Sequence, residues 1–288
     1  MAGRVAGKVA FITGIARGQG RSHAVRLAEE GADIIGVDVP GPIDNMTYPV
    51  ATQKDLDETI SLVEKLDRRI VARAADVRDK PAVRAVVDAG VAELGRLDIV
   101  VANAGICPLG PLPEQTYLDV VDVDFVGVLN AFSVALPHLT GGASMMATGS
   151  VAGLIPGTVD NPATGPGGAG YGFAKRAIAQ LVRELAVILA PRKIRVNAIH
   201  PTNVDTMLLH NDPMYKIFRP DLEHPTAEDA ALAFPAMQAM PIPFMDPVDV
   251  SNAVLFLASD ESRYVTGLQM RVDAGSVPKQ VPLPPQAL

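Results

Sequence analysis

The chain has 288 residues, 48% of them hydrophobic and 20% charged, with a formal net charge of −7. That composition supports a large buried core and excludes global disorder. The acidic balance speaks against a nucleic-acid surface, which needs a basic stripe to neutralise phosphates, and the single cysteine, Cys107, excludes an internal disulfide framework and a multi-cysteine zinc site.

The residues from Met1 to Val9 lack the long apolar run and cleavage pattern of a signal peptide. No apolar stretch reaches about 18 residues without a charge, Pro or Gly break, so a cytoplasmic protein without membrane insertion is expected. Val9–Thr13 reads as a buried strand, followed by a Gly-rich turn and a helix over Ser22–Glu30. Ile34–Val37 is the second strand. Val39–Arg69 is long for a connection; it opens with Pro40, Gly41 and Pro42 and holds a helix around Leu56–Leu66. Strands recur at Val71–Ala75, Ile99–Ala102, Ser144–Ala147, Arg195–Ile199 and Leu268–Val272. Pro156–Gly170 reads as a loop. Asn203–Met245 carries five of the ten methionines and divides at its prolines into short helical pieces, the composition of a mobile lid over an apolar ligand. Val277–Leu288 reads as an extended tail. The alternation predicts one α/β domain over residues 1–288, Rossmann-like and doubly wound, with about seven parallel strands and helices on both faces.

The turn Thr13-Gly14-Ile15-Ala16-Arg17-Gly18-Gln19-Gly20 joins the first strand to the first helix. Glycines at 14, 18 and 20 let backbone approach a pyrophosphate, and the helix directs N–H groups and its positive end at the anion. Gly14, Ala16, Arg17, Gly18, Gln19 and Gly20 are therefore candidate cofactor ligands. Asp38 closes the second strand, eighteen positions after Gly20. A carboxylate there binds ribose hydroxyls and repels a 2′-phosphate, which favours NAD over NADP; Arg17 is the one nearby group that suits the phosphate.

Tyr171 and Lys175 stand four apart, and Ala177, Ile178, Leu181, Leu185 and Ile188 continue a helical face. Both side chains then lie on one side of a helix. Tyrosine ionises near pH 10 and is a poor base at neutrality. An ammonium about 4–5 Å away, at an effective dielectric of about 20, pulls that value down by about 2–3, an upper bound. A phenolate that takes an alcohol proton while hydride leaves is the chemistry such a pair allows.

Together with Asp76-Val77, Asn103-Ala104-Gly105, Ser150 and Asn197-xxx-Pro201, these motifs resemble the classical short-chain dehydrogenase/reductase family from about Gly7 to Gly275. The resemblance implies that Ser150, Tyr171 and Lys175 are catalytic, with Lys175 also holding ribose. Ser144 is the alternative serine, but it sits inside a strand. The Ser150-to-Tyr171 gap exceeds the family's, and Pro156–Gly170 accounts for the excess. The resemblance places Asp76, Val77, Asn103, Ala104, Gly105, Thr148, Pro201, Thr202, Val204 and Thr206 around the cofactor. One position departs: Asp124, in Asp124-Phe125-Val126-Gly127, stands where the family has an asparagine on a proton relay through the lysine. Asn130 is not in the matching position. Aspartate can serve that relay or pair with Lys175, and reduced or pH-shifted activity relative to an Asp124→Asn variant is expected.

Finer features resemble one branch, the mycofactocin-coupled dehydrogenases that include carveol dehydrogenase. They are Gly18-Gln19-Gly20-Arg21-Ser22-His23, the 39–69 insertion, Ile199-His200-Pro201-Thr202-x-Val204 and the ending Leu257–Gly267. Membership implies an actinobacterial source, oxidation of a hydrophobic secondary alcohol to its ketone, tightly held NAD under the insertion, an external redox carrier (mycofactocin) and a homotetramer. Two other readings share the fold. Asp38 disfavours an NADPH-dependent 3-oxoacyl-thioester reductase. A non-catalytic NAD-binding sensor draws support from Asp124 alone.

Overall fold

A computed structural model describes residues 3–39 and 41–280; Pro40 and the tail beyond Gln280 lie outside the described residues. Seven strands form the sheet: β1 (Val9–Thr13), β2 (Asp33–Asp38), β3 (Ile70–Ala74), β4 (Leu97–Ala102), β5 (Leu139–Thr148), β6 (Arg195–Pro201) and β7 (Gln269–Val272). Their order is β3-β2-β1-β4-β5-β6-β7, every pair parallel. The doubly wound expectation holds.

Side chains along each strand alternate between two apolar layers. Phe11, Ile35, Val100 and Met145 face the helices α3 (Lys80–Leu94), α5 (Gly127–Ala135) and α6 (Gly165–Leu189). Ala10, Ile12, Ile34, Val101 and Met146 face α1 (Gly18–Glu29), α2 (Gln53–Glu64) and α9 (Pro247–Ala258). Both faces are covered, which is why the strands read as continuous apolar runs. The strand order reverses between β1 and β4. Their carboxyl ends diverge there and open a crevice, the place where open α/β sheets bind ligands.

Three local expectations need correction. β5 starts at Leu139 rather than Ser144; its first half, Thr140-Gly141-Gly142, is exposed and pairs with β4 only at Leu97↔Leu139, so it carries no strand-like apolar pattern. The Pro156–Gly170 loop ends early, because α6 begins at Gly165. Glycine in a helix costs about 1 kcal/mol against alanine, but a Cβ at Gly167 would stand 1.9 Å from the Pro108 carbonyl oxygen and one at Gly170 2.7 Å from that of Tyr117. Close backbone approach selects glycine there. The tail is not extended at its start: a short helix, α10 (Ser276–Lys279), lies in it.

The helical run Gln115–His138 comprises α4 (Gln115–Val121), a π-helical turn over Asp122–Val126, α5 and a closing 3-10 turn. Its 24 residues are long and apolar enough to cross a membrane by length and composition. In the fold it packs against α3 and α6 and carries the fully buried Asp124, so it is a core helix.

Candidate active site

The crevice is a cavity of about 830 Å³ running from Asp38 to Met237. At one end lies the Gly-rich turn. A Cβ at Gly20 would stand 1.8 Å from the Gly14 carbonyl oxygen, so only glycine permits this turn. No side chain caps the first turn of α1, which leaves its N–H groups facing the cavity for an anion. Asp38 accepts the Ala16 N–H at 2.7 Å and the Val39 N–H at 2.8 Å. Burial still pushes its carboxyl above the usual range. Arg17 donates to the Pro49 carbonyl. Arg21 donates to the Ala16 carbonyl at 2.7 Å and pairs with Glu58 at 2.9 Å, tying the turn to α2.

The opposite wall is the turn after β4. Asn103 and Ala104 N–H groups both donate to Thr13 Oγ at 3.0 Å, and the Thr148 hydroxyl donates to Asn103 Oδ1 at 3.2 Å. Asp76 is held by the Arg78 guanidinium at 2.6 Å, which keeps its carboxyl below the usual range despite burial. Asn130 Nδ2 donates to the Val77 carbonyl at 2.9 Å and so braces that turn.

At the cavity's centre Ser150 leads from β5, and α6 presents Tyr171 and Lys175. Lys175 Nζ donates to the Thr148 carbonyl at 3.0 Å and lies 3.1 Å from Asp124 Oδ2. It stands 5.2 Å from the centre of the Tyr171 ring. Asp124 is fully buried behind Gly105, and its other oxygen accepts the Ile106 N–H at 2.7 Å. Burial raises its carboxyl against the pull of Lys175. The expected lowering of the Tyr171 phenol is not observed. Burial pushes it well above its ordinary value, with Asp124 adding to the rise and the Ser150 hydroxyl opposing it. The Lys175 charge is compensated by the carboxylate behind it.

Of the sequence-predicted residues, Gly14, Arg17, Gly18, Gln19, Gly20, Asp38, Asp76, Val77, Asn103, Ala104, Gly105, Thr148, Ser150, Tyr171, Lys175, Pro201, Thr202, Val204 and Thr206 line this cavity. Ala16 does not: it is buried and its amide binds Asp38. Asp124 touches Lys175 rather than the cavity, which makes it a positioning residue. Ser144 donates to the Leu257 carbonyl inside the fold.

Sequence reasoning missed Tyr48. It lies in the 39–52 stretch and lines the cavity, and its phenol oxygen accepts the Cys107 N–H at 2.9 Å. Asn45 Nδ2 donates to Asp119 Oδ2 on α4 at 3.0 Å. With the Arg17 contact, the insertion is fastened to both walls of the crevice. No periodicity marks this loop, so only a motif could have found it. The apolar end is walled by Leu109, Leu209, Met214, Ile217 and Phe218, partly from α7 (Asp212–Phe218), with α8 (Ala227–Ala233) behind.

The residues fit a dinucleotide: glycine-lined backbone for phosphates, Asp38 for a ribose and a groove long enough for both halves. Residues 14–276 match the family model described as Enoyl-(Acyl carrier protein) reductase. The (−)-trans-carveol dehydrogenase of Rhodococcus erythropolis is 46% identical over 283 residues, covering 96% of this chain and 99% of that one. The crystal structure of carveol dehydrogenase from Mycobacterium avium in complex with NAD superposes with a TM-score of 0.90 at 50% identity, covering 96% and 99% of the two chains. That of a short chain dehydrogenase from Mycobacterium paratuberculosis bound to NAD gives 0.83 at 39%, covering 96% and 100%. The chain belongs to the short-chain dehydrogenase/reductase family.

Proposed function

We propose that the chain is an NAD-dependent oxidoreductase that interconverts a hydrophobic secondary alcohol and its ketone, as the carveol dehydrogenases it resembles do by name. The observation that carries this is the juxtaposition of Ser150, Tyr171 and Lys175 where a dinucleotide groove meets an apolar cavity. When bound, NAD supplies the hydride acceptor. Ser150 Oγ accepts the Ala152 N–H at 3.1 Å, which leaves its hydrogen to donate to the substrate oxygen. Tyr171 takes the alcohol proton in oxidation and returns it in reduction. Lys175 holds a nucleotide ribose, and its ammonium stands 5.2 Å from the centre of the Tyr171 ring. Asp124 fixes Lys175. The Met- and Phe-rich 203–245 segment forms the substrate lid of a single domain, and its pocket wall excludes water.

The reading is tested with secondary alcohols offered to the as-purified protein while nicotinamide absorbance is followed. Cyclic terpenoid alcohols should react with NAD and not with NADP; turnover of 3-oxoacyl thioesters alone would overturn it. Asp38→Ala should weaken NAD about 10–100-fold, the scale of charge-assisted hydrogen bonds, and bring the two cofactors' KM values together.

The 39–52 strap supports tight NAD retention with reoxidation by an external carrier of the mycofactocin kind. Tyr48→Ala removes the contact with Cys107, and release of bound nucleotide on dialysis should accelerate about tenfold. Equal release from both proteins would remove Tyr48 from this role. A cytoplasmic homotetramer completes the reading. Its support is the apolar groove of Leu129 and Phe132 on α5, Leu136 on the 3-10 turn that follows, and Leu181 and Leu185 on α6, with Val187 of α6 75% exposed.

A further inference from the structure

His200 takes no part in the chemistry above, yet it lies on β6 wholly buried against the catalytic serine. Gly149 makes room for its ring: a Cβ there would stand 2.4 Å from His200 Nδ1. On the far side Nε2 is 2.8 Å from Gln269 Oε1 on β7. Nδ1 faces the backbone of one residue twice, 3.2 Å from Ser150 N and 3.0 Å from Ser150 O. It can serve only one of them at a time. Unprotonated, Nδ1 accepts the Ser150 N–H while Nε2–H donates to Gln269. Protonated, Nδ1 becomes a donor and turns to the Ser150 carbonyl.

The charged groups whose fields reach the ring are Lys175 and the exposed Arg183, both cationic. With burial they hold the imidazole below its usual range, against the acceptors Gln269 and Ser150 O. The neutral form, with Nδ1 as acceptor, is therefore the working state. Ser150 has its hydroxyl oxygen engaged by Ala152 N–H, so a shift of its peptide moves the hydroxyl hydrogen off its target.

We propose that His200 is a positioning residue for Ser150: neutral, it holds the serine's peptide in the working position, and on gaining a second proton it exchanges partners and releases it. The inference rests on the reading of Ser150 and Tyr171 as the alcohol-handling pair.

The test compares kcat, KM, nucleotide affinity and pH profile for His200→Asn, His200→Gln and His200→Ala on a secondary alcohol that the wild type oxidises. Asparagine places an amide close to where Nδ1 stands; glutamine reaches toward Gln269 instead. His200→Gln and His200→Ala should lose kcat about tenfold, the scale of one lost positioning hydrogen bond, with nucleotide affinity kept. His200→Asn should recover most of it. The wild type should show an acid-side loss of kcat beyond the limb set by Tyr171, and that extra loss should be absent in all three variants. Equal kcat in the Asn and Gln variants, an unchanged acid limb, or kcat that simply follows thermal stability across the series would each overturn the proposal. Tyr171→Phe run alongside separates the two readings. A large gap between it and the wild type keeps the oxidoreductase assignment even where His200 proves inert.

Discussion

Tyr171→Phe should lower alcohol oxidation about a thousandfold while NAD affinity stays within a few-fold of wild type. The substitution removes only the phenol oxygen. The ring, which packs against the apolar cluster that includes Cys107, Leu109 and Leu209, remains, so the pocket keeps its shape. What is lost is the phenol that, on the proposed reading, takes the substrate's proton; Ser150 donates and Lys175 is compensated by Asp124 at 3.1 Å. Lys175→Ala should behave differently. It removes a ribose contact and leaves Asp124 buried without its cation, so affinity and stability fall together with turnover. Stopped-flow turnover and nucleotide titration on both variants check the distinction. Turnover in Tyr171→Phe within tenfold of wild type would mean that another group carries the proton.

The fold was readable because both sheet faces are buried. Apolar runs at Val9–Thr13, Ile34–Val37 and Ile99–Ala102 leave no other assignment. The catalytic pair was readable because a four-residue spacing on one helix is a local property. Local patterns failed wherever a distant segment decides the outcome. The helix start at Gly165 depends on the Pro108 and Gly110 backbones against which it packs. Tyr48 and Cys107 meet through a loop crossing that sequence spacing does not encode. The π-turn that carries Asp124 sits inside one continuous helical run, with no sequence break to mark it, though such turns often mark functional positions. The tyrosine's acidity has the same origin: the ammonium four residues away is a local feature, whereas the burial of the phenol and the 3.1 Å Lys175–Asp124 pair are set by the fold.

That carboxylate sets the second large effect. Burial and the Asp124 carboxylate both push Tyr171 toward its protonated form. Asp124→Asn removes a negative charge, keeps an acceptor for the Ile106 N–H and leaves Lys175 uncompensated. Each change favours the phenolate. Oxidation needs the phenolate, so the rise of kcat/KM with pH should move to lower pH, by about one unit for a charge several ångströms away at an effective dielectric of about 20. Reduction needs the protonated phenol, so its decline should move to lower pH by the same amount. The two limbs must shift in one direction, because they report one group. Asp124→Ala should also melt about 10 °C lower, since removing one partner of a buried ion pair costs about 3–5 kcal/mol. Matching pH profiles for wild type and Asp124→Asn would show that the Asp124 charge does not reach Tyr171. A shift of both limbs makes the aspartate a residue that tunes this enzyme toward alkaline oxidation.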